Sequence, residues 1–240
     1  MGHQAGGPVL AIKRALWISL LPLLLAGCRE GDQPAPESKP APTLAQELNA
    51  MSPEDQLDFL RKLDQERPND AVVAFHFGNA YYSIGSAYPA EENDRAFAYY
   101  DSAVAAYTRA VEIDTTYSKA YVNMGIAYEA WAKKPDARRA LRKAVEVNPD
   151  DVLAHCHLGQ LEQSYGDYAE AVRLYRRALV LDPNSAQAHY NLGLAFAEQK
   201  VFREAMVEWE KVIALDPDGE LGKTAAENVR IIRQYLEASP

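Results

Sequence analysis

Ala186 to Gly219, read as AQAHYNLGLAFAEQKVFREAMVEWEKVIALDPDG, carries the pattern that decides the architecture of this chain. Leu192, Phe196 and Trp209 are large apolar residues at helical spacing, and Gly193 and Ala205 are small residues set among them. Small side chains let two helices of a hairpin approach closely, and the large ones fill the remaining seam. Asp216-Pro217 closes the stretch, because proline disfavours helix at the residue before it. The same landmarks recur upstream. Pro149, Pro183 and Pro217 lie 34 residues apart, each preceded by Asn148, Asp182 or Asp216. Gly125, Gly159 and Gly193 keep that spacing, as do Ala137, Ala171 and Ala205. A fixed period of this length means stacked units that bury their apolar faces on one another.

The period and landmarks resemble the tetratricopeptide repeat. The resemblance places repeats at 118–151, 152–185 and 186–219, and implies an all-α fold, a right-handed superhelical solenoid of helix-turn-helix repeats with capping helices. An earlier, stretched repeat spans 71–117, with Pro68, Gly78, Tyr81, Ala103, Tyr107, Ala110 and Asp114-Thr115 at the landmarks. Gly78 to Ala103 spans 25 residues where later repeats span 12, so 13 extra residues fall within Tyr82 to Tyr100. Two compatible accounts exist: both helices run about a turn longer and pack on each other, or the insertion projects to cap a groove or touch a partner. Residues 44–70 read as N-terminal caps, with Ser52-Pro53 as a helix start and Leu57, Leu60 and Leu63 on one face. Residues 220–240 read as a C-terminal cap, striped by Leu221, Ala225, Val229, Ile232 and Leu236.

Residues 1–27 read as an export signal. Lys13 and Arg14 precede an apolar run, Ala15 to Leu25, too short to span a bilayer, which needs about 20 residues. Leu25-Ala26-Gly27-Cys28 resembles a bacterial lipobox, which implies cleavage before Cys28 and lipidation (diacylglyceryl and an acyl chain such as palmitate) of that residue. Several acyl chains, at about 0.8 kcal/mol per buried CH₂, make a durable anchor. Arg29 follows where enterobacterial lipoproteins kept in the inner membrane carry aspartate, which favours an outer-membrane site facing the periplasm. Residues 28–43, with Pro34, Pro36, Pro40 and Pro42 and no large apolar side chain, read as an extended tether with a reach of about 45 Å.

Acidic residues outnumber basic ones 34 to 25, and loss of residues 1–27 takes the formal charge from −9 to −11. That balance argues against nucleic acid, whose binders carry a basic footprint. Two cysteines exclude a disulfide scaffold, and once Cys28 is lipidated only Cys156 remains. His155, Cys156 and His157 look like a ligand cluster with His189 one repeat later, but helix neighbours one or two apart do not share a face. Packed helix axes lie about 8–10 Å apart while zinc needs nitrogens at about 2.0–2.1 Å, so packing histidines are the better account. No phosphate loop, HExxH or nucleophile triad is present, which predicts no enzyme, cofactor, metal or small-molecule substrate. Glu162 stands where adjacent repeats carry Tyr128 and Phe196, and either pairs locally or faces solvent.

In the tetratricopeptide family, first helices line a concave groove. Carried onto this chain, the resemblance implies a partner-binding groove of Val72, Phe75, Asn79, Tyr82, Lys119, Val122, Ile126, Leu153, Gln160, Gln163, Tyr190 and Leu194. Family members that clamp a peptide's terminal carboxylate use lysine, arginine and asparagine; only Asn79 fits, so that clamp is rejected. An apolar groove with a few amides suits a helix or extended apolar peptide. Alternatively the chain's own N-terminal segment fills it, or these residues pack on neighbouring helices. Lipoproteins of this layout serve in type IV pilus secretin assembly, outer-membrane protein insertion or control of wall hydrolases. The layout implies a non-catalytic scaffold for envelope proteins, or else a carrier presenting unfolded clients, as cytochrome c biogenesis repeats do.

Overall fold

The computed structural model describes residues 43–89 and 92–238; the export signal, Cys28 and all of the tether but Thr43 lie outside them. Within the described residues the chain forms helices and no strand: α1 (Leu44–Leu48), α2 (Pro53–Glu66), α3 (Ala71–Ser86), α4 (Asn93–Ile113), α5 (Ser118–Ala130), α6 (Lys134–Val147), α7 (Val152–Ser164), α8 (Tyr168–Leu181), α9 (Ala186–Glu198), α10 (Phe202–Leu215) and α11 (Glu220–Ala238). Helices α3/α4, α5/α6, α7/α8 and α9/α10 pair as hairpins, and each first helix also touches the next first helix. The architecture is the expected all-α solenoid. None of these helices is long and apolar enough to cross a membrane.

The helix-crossing landmarks act as their chemistry requires. Ala137, Ala171 and Ala205 are fully buried. Each landmark glycine lies under a bulky residue of its second helix: Gly78 under Tyr107, Gly125 under Leu141, Gly159 under Tyr175 and Gly193 under Trp209. The polar ends of the three aromatics are satisfied within their own hairpins. The Tyr107 hydroxyl donates to Asn79 Oδ1 at 2.9 Å, Tyr175 to Gln163 Oε1 at 3.0 Å, and the Trp209 indole to the Tyr190 carbonyl at 3.1 Å.

Two kinds of turn set the repeat geometry. Between repeats, Asp114, Asn148 and Asp182 take extended backbone and their side-chain oxygens accept from the N–H two residues on, at 2.9, 3.2 and 3.0 Å. Within hairpins, the helix ends on a residue with positive φ, namely Ala132 (58°), Gly166 (80°) and Lys200 (61°). The N–H of the next residue then reaches back to the carbonyl of Tyr128, Glu162 or Phe196, at 2.8, 3.0 and 2.9 Å. Only the middle hairpin uses glycine, the residue for which this conformation costs least.

The extra residues of the first hairpin lengthen both of its helices. α3 has 16 residues and α4 has 21, where later first and second helices have 13 and 14. The extensions pack on each other: Tyr82 lies 5.6 Å from Tyr100, and Tyr88 stacks on Tyr99 at 5.6 Å. At the ends, Leu57 and Leu60 bury against α3, and Ala225, Val229 and Ile232 bury against α10 with Trp209. Leu236 departs from the expected stripe and is exposed.

Candidate partner groove

The first helices α3, α5, α7 and α9 stand side by side and present one continuous face. Val72 and Leu153 begin α3 and α7 with their side chains out in solvent, 43% and 61% exposed. Lys119, also exposed, begins α5 between them. Phe75 is half-buried, with its ring 5.1 Å from Tyr117 and 5.9 Å from Tyr107. Tyr82, Ile126 and Gln163 are half-buried and Gln160 is exposed.

One predicted groove residue, Val122, is withdrawn into the core, and two, Tyr190 and Leu194, are half-buried beside the C-terminal cap. Val122 is only 4% exposed and belongs to the core with Leu141, Ala154 and Leu158. Its short branched side chain ends inside the α5–α7 seam, so it offers no surface to a partner. Tyr190 and Leu194 pack against the cluster formed by α10 and α11. The α11 cap stacks on α9 as a further first helix would, and Asn228 Nδ2 comes within 3.5 Å of the Tyr190 hydroxyl. The exposed residues of the predicted face, Val72, Lys119, Leu153 and Gln160, lie on α3, α5 and α7.

Between α3 and α5 lies a hollow of about 230 Å³ walled by Asn79, Tyr82, Ser83, Tyr107, Asn123 and Ile126. Asn79 Oδ1 accepts twice, from Tyr107 and from Asn123 Nδ2 at 2.8 Å. Both lone pairs of that oxygen are then used, while the Asn79 amide N–H groups and Asn123 Oδ1 have no hydrogen bond among the described residues. Gln163 is likewise half-engaged through Tyr175. Sequence reasoning missed Asn123, one residue after the position it assigned to the groove; an amide following a core valine was the available signal.

The electrostatics of this face are set mainly by burial. Burial lowers the pKa of His76 and His157 below the ordinary histidine range, more than the Asp70 and Asp151 charges raise it. Burial raises that of Tyr82, as do Tyr100 and Glu129. Glu129 on α5 is half-buried, and its carboxyl is pushed above the usual carboxylate range by desolvation, against the pull of Lys134.

The chemistry-bearing residues outside the groove hold the stack together. Nε2–H of His155 donates to the Pro149 carbonyl at 2.9 Å, and that of His189 to the Pro183 carbonyl at 3.0 Å, pinning the turns between repeats. His189 Nδ1 lies 2.6 Å from Glu208. Cys156 is buried, and burial, with Asp151 and Asp182 adding to it, pushes its thiol up to about 12. Glu162 pairs locally: it is fully buried, bound by Arg138 through two nitrogens and by Arg142 at 3.2 Å. Arg138 in turn covers the Tyr165 ring at 4.7 Å.

Residues 118–151 and 187–219 match tetratricopeptide-repeat family profiles, and residues 163–200 match a further TPR profile. These hairpins are tetratricopeptide repeats. The same fold occurs in solved structures of MamA. One, residues 41 to the end from Desulfovibrio magneticus RS-1, is 20% identical, with a TM-score of 0.58 over 72% of this chain and 90% of that one. A second MamA crystal structure is 23% identical, with a TM-score of 0.55 over 66% of this chain and 85% of that one. No curated protein matches this chain in sequence.

Proposed function

We propose that the chain is a non-catalytic scaffold of the cell envelope, binding a protein segment along the face of α3, α5 and α7. The observation that carries this reading is the solvent exposure of Val72 and Leu153 on the same face as the partly free Asn79 and Asn123 amides. Apolar anchors beside backbone-reading amides suit an extended peptide or one face of a helix. Val72→Glu/Leu153→Glu tests it, since both side chains are outside the core. In pull-downs from detergent-solubilised envelopes, proteins retained by wild type should be lost with the double variant while its melting temperature stays within about 2 °C. An unchanged set of retained proteins would move the binding surface off this face.

The envelope location rests on the sequence of residues 1–28. A lipidated Cys28 would hold the repeats at the periplasmic face of the outer membrane, and Cys28→Ala should release the protein into the soluble fraction. Sedimentation of that variant with membranes after a carbonate wash would remove the lipid anchor from the account.

A further inference from the structure

Among the described residues, every buried or half-buried carboxylate of the repeats has a cation or donor in contact except Glu129. Glu162 has Arg138 and Arg142; Glu208 has His189 and Lys211. Glu129 is half-buried and makes no hydrogen bond or ion pair among the described residues. Lys134 acts on it only through space, its own ammonium lying 5.9 Å from the Tyr165 ring. Lys119 begins α5 ten residues earlier, which places it about 15 Å away along the helix. That exceeds the Debye length of about 8 Å at physiological salt, so Lys119 does not neutralise Glu129. Burial holds His76 and His157 below the ordinary histidine range and so disfavours their cationic forms.

Glu129 lies one turn beyond Ile126 on α5, and Asn123 lies one turn before it. Those two residues form the α5 wall of the hollow, with Tyr82, Ser83 and Tyr107 opposite. The hollow therefore has two tyrosine rings and Ile126 among its polar walls, an acceptor at Asn123 Oδ1 with no donor among the described residues, and the Glu129 carboxylate one turn beyond Ile126, close enough for its charge to act on Tyr82. A carboxylate or phosphate ligand would meet Glu129 with like charge, and a purely apolar side chain would bury the Glu129 charge further. A long side chain with an apolar stem and a cationic head relieves both problems, because stem and head separate along its length.

We propose that this hollow receives a lysine or arginine side chain of the bound segment, with its stem between Tyr82 and Ile126 and its head on Glu129. The proposal rests on the groove reading above and adds the chemistry of the partner: a basic residue flanked by apolar ones that reach Val72 and Leu153.

The test pans a phage-displayed random dodecapeptide library against the full chain in mild detergent, keeping peptides whose binding is lost with Val72→Glu/Leu153→Glu. The retained peptides should share a lysine or arginine at one position. Replacing it by norleucine should weaken binding about tenfold to wild type and less than twofold to Glu129→Gln, the signature of a direct pair. Groove-dependent peptides without a basic position, or an equal loss with both proteins, would overturn the proposal while leaving the groove. Failure to recover any groove-dependent peptide would bring down the groove reading and the subsite with it. Should Glu129→Gln melt below wild type, Glu129→Asp replaces it; that variant keeps the charge and must keep the preference for a basic residue.

Discussion

Removing Arg138 should damage the fold far more than removing the acid it holds. Glu162 is fully buried on α7 and takes Arg138 Nε at 2.7 Å on one oxygen, Arg138 Nη2 on the other, and Arg142 at 3.2 Å. Arg138→Ala leaves the carboxylate with one longer contact to a side chain that is 60% exposed. Breaking a buried pair from one side costs about 3–5 kcal/mol, and the surviving Arg142 contact puts this variant near the lower end, about 3 kcal/mol. Glu162→Phe removes the buried charge and installs the kind of residue that Tyr128 and Phe196 supply in adjacent repeats. Arg138, a third exposed, can then turn its head to water while its stem stays on Tyr165. That exchange of a buried ion pair for an apolar side chain should be within about 1 kcal/mol of neutral. In urea melts at pH 7 followed by circular dichroism, an m-value of about 2 kcal/mol/M turns the Arg138→Ala loss into a midpoint shift of about 1.5 M. The Glu162→Phe midpoint should move by less than a third of that. Equal losses in the two variants would refute the reasoning, since they would show net attraction within the pair outweighing its desolvation.

The αL positions offer a gain. Ala132→Gly should stabilise by about 0.5–1 kcal/mol, because relief of a left-handed alanine exceeds the added unfolded-chain entropy, and Gly166→Ala should lose about 1 kcal/mol; thermal melts of both decide it. Gly159→Ala should cost about 1–3 kcal/mol by overpacking, since its added Cβ would fall 2.6 Å from the Tyr175 ring, and an unshifted melting temperature would contradict the close crossing of α7 and α8. Cys156 should resist iodoacetamide in the folded protein at pH 8 and react only on unfolding, as its thiol stays protonated until about pH 12. The folded-state pKa being raised, this group favours the fold below the ordinary thiol range near 9 and its contribution drains away as pH rises from about 9 to about 12, so alkaline melts of Cys156→Ala should fall less steeply than wild type.

How much of this was readable in advance depended on the range of each interaction. Gly125, Gly159 and Gly193 announced the helix crossings because close approach demands a small side chain whatever lies opposite. The left-handed turn ends were not read from the sequence: only Gly166 carries a local signal for that backbone state, which Ala132 and Lys200 take as well. Of the residues assigned to the groove, the exposure of Val72, Lys119 and Leu153 is legible from register, since each stands at a helix start. The burial of Val122 and the half-burial of Tyr190 and Leu194 are not, because they depend on how far the next helix reaches across them.

The 34-residue period, the small residues at the crossings and the Asp/Asn turns determined a stacked helical hairpin fold by themselves, since each acts on its own backbone or at a contact the period repeats. Only the tertiary structure decided which polar groups stay free for a partner. Asn79 Oδ1 is consumed by Tyr107 and Asn123, which lie 28 and 44 residues away, and Glu162 is neutralised across a helix pair by arginines 24 and 20 residues away. Glu129, equally acidic in sequence, finds no such partner among the described residues, because hydrogen bonding and ion pairing are settled by approach in space and leave no trace in local pattern.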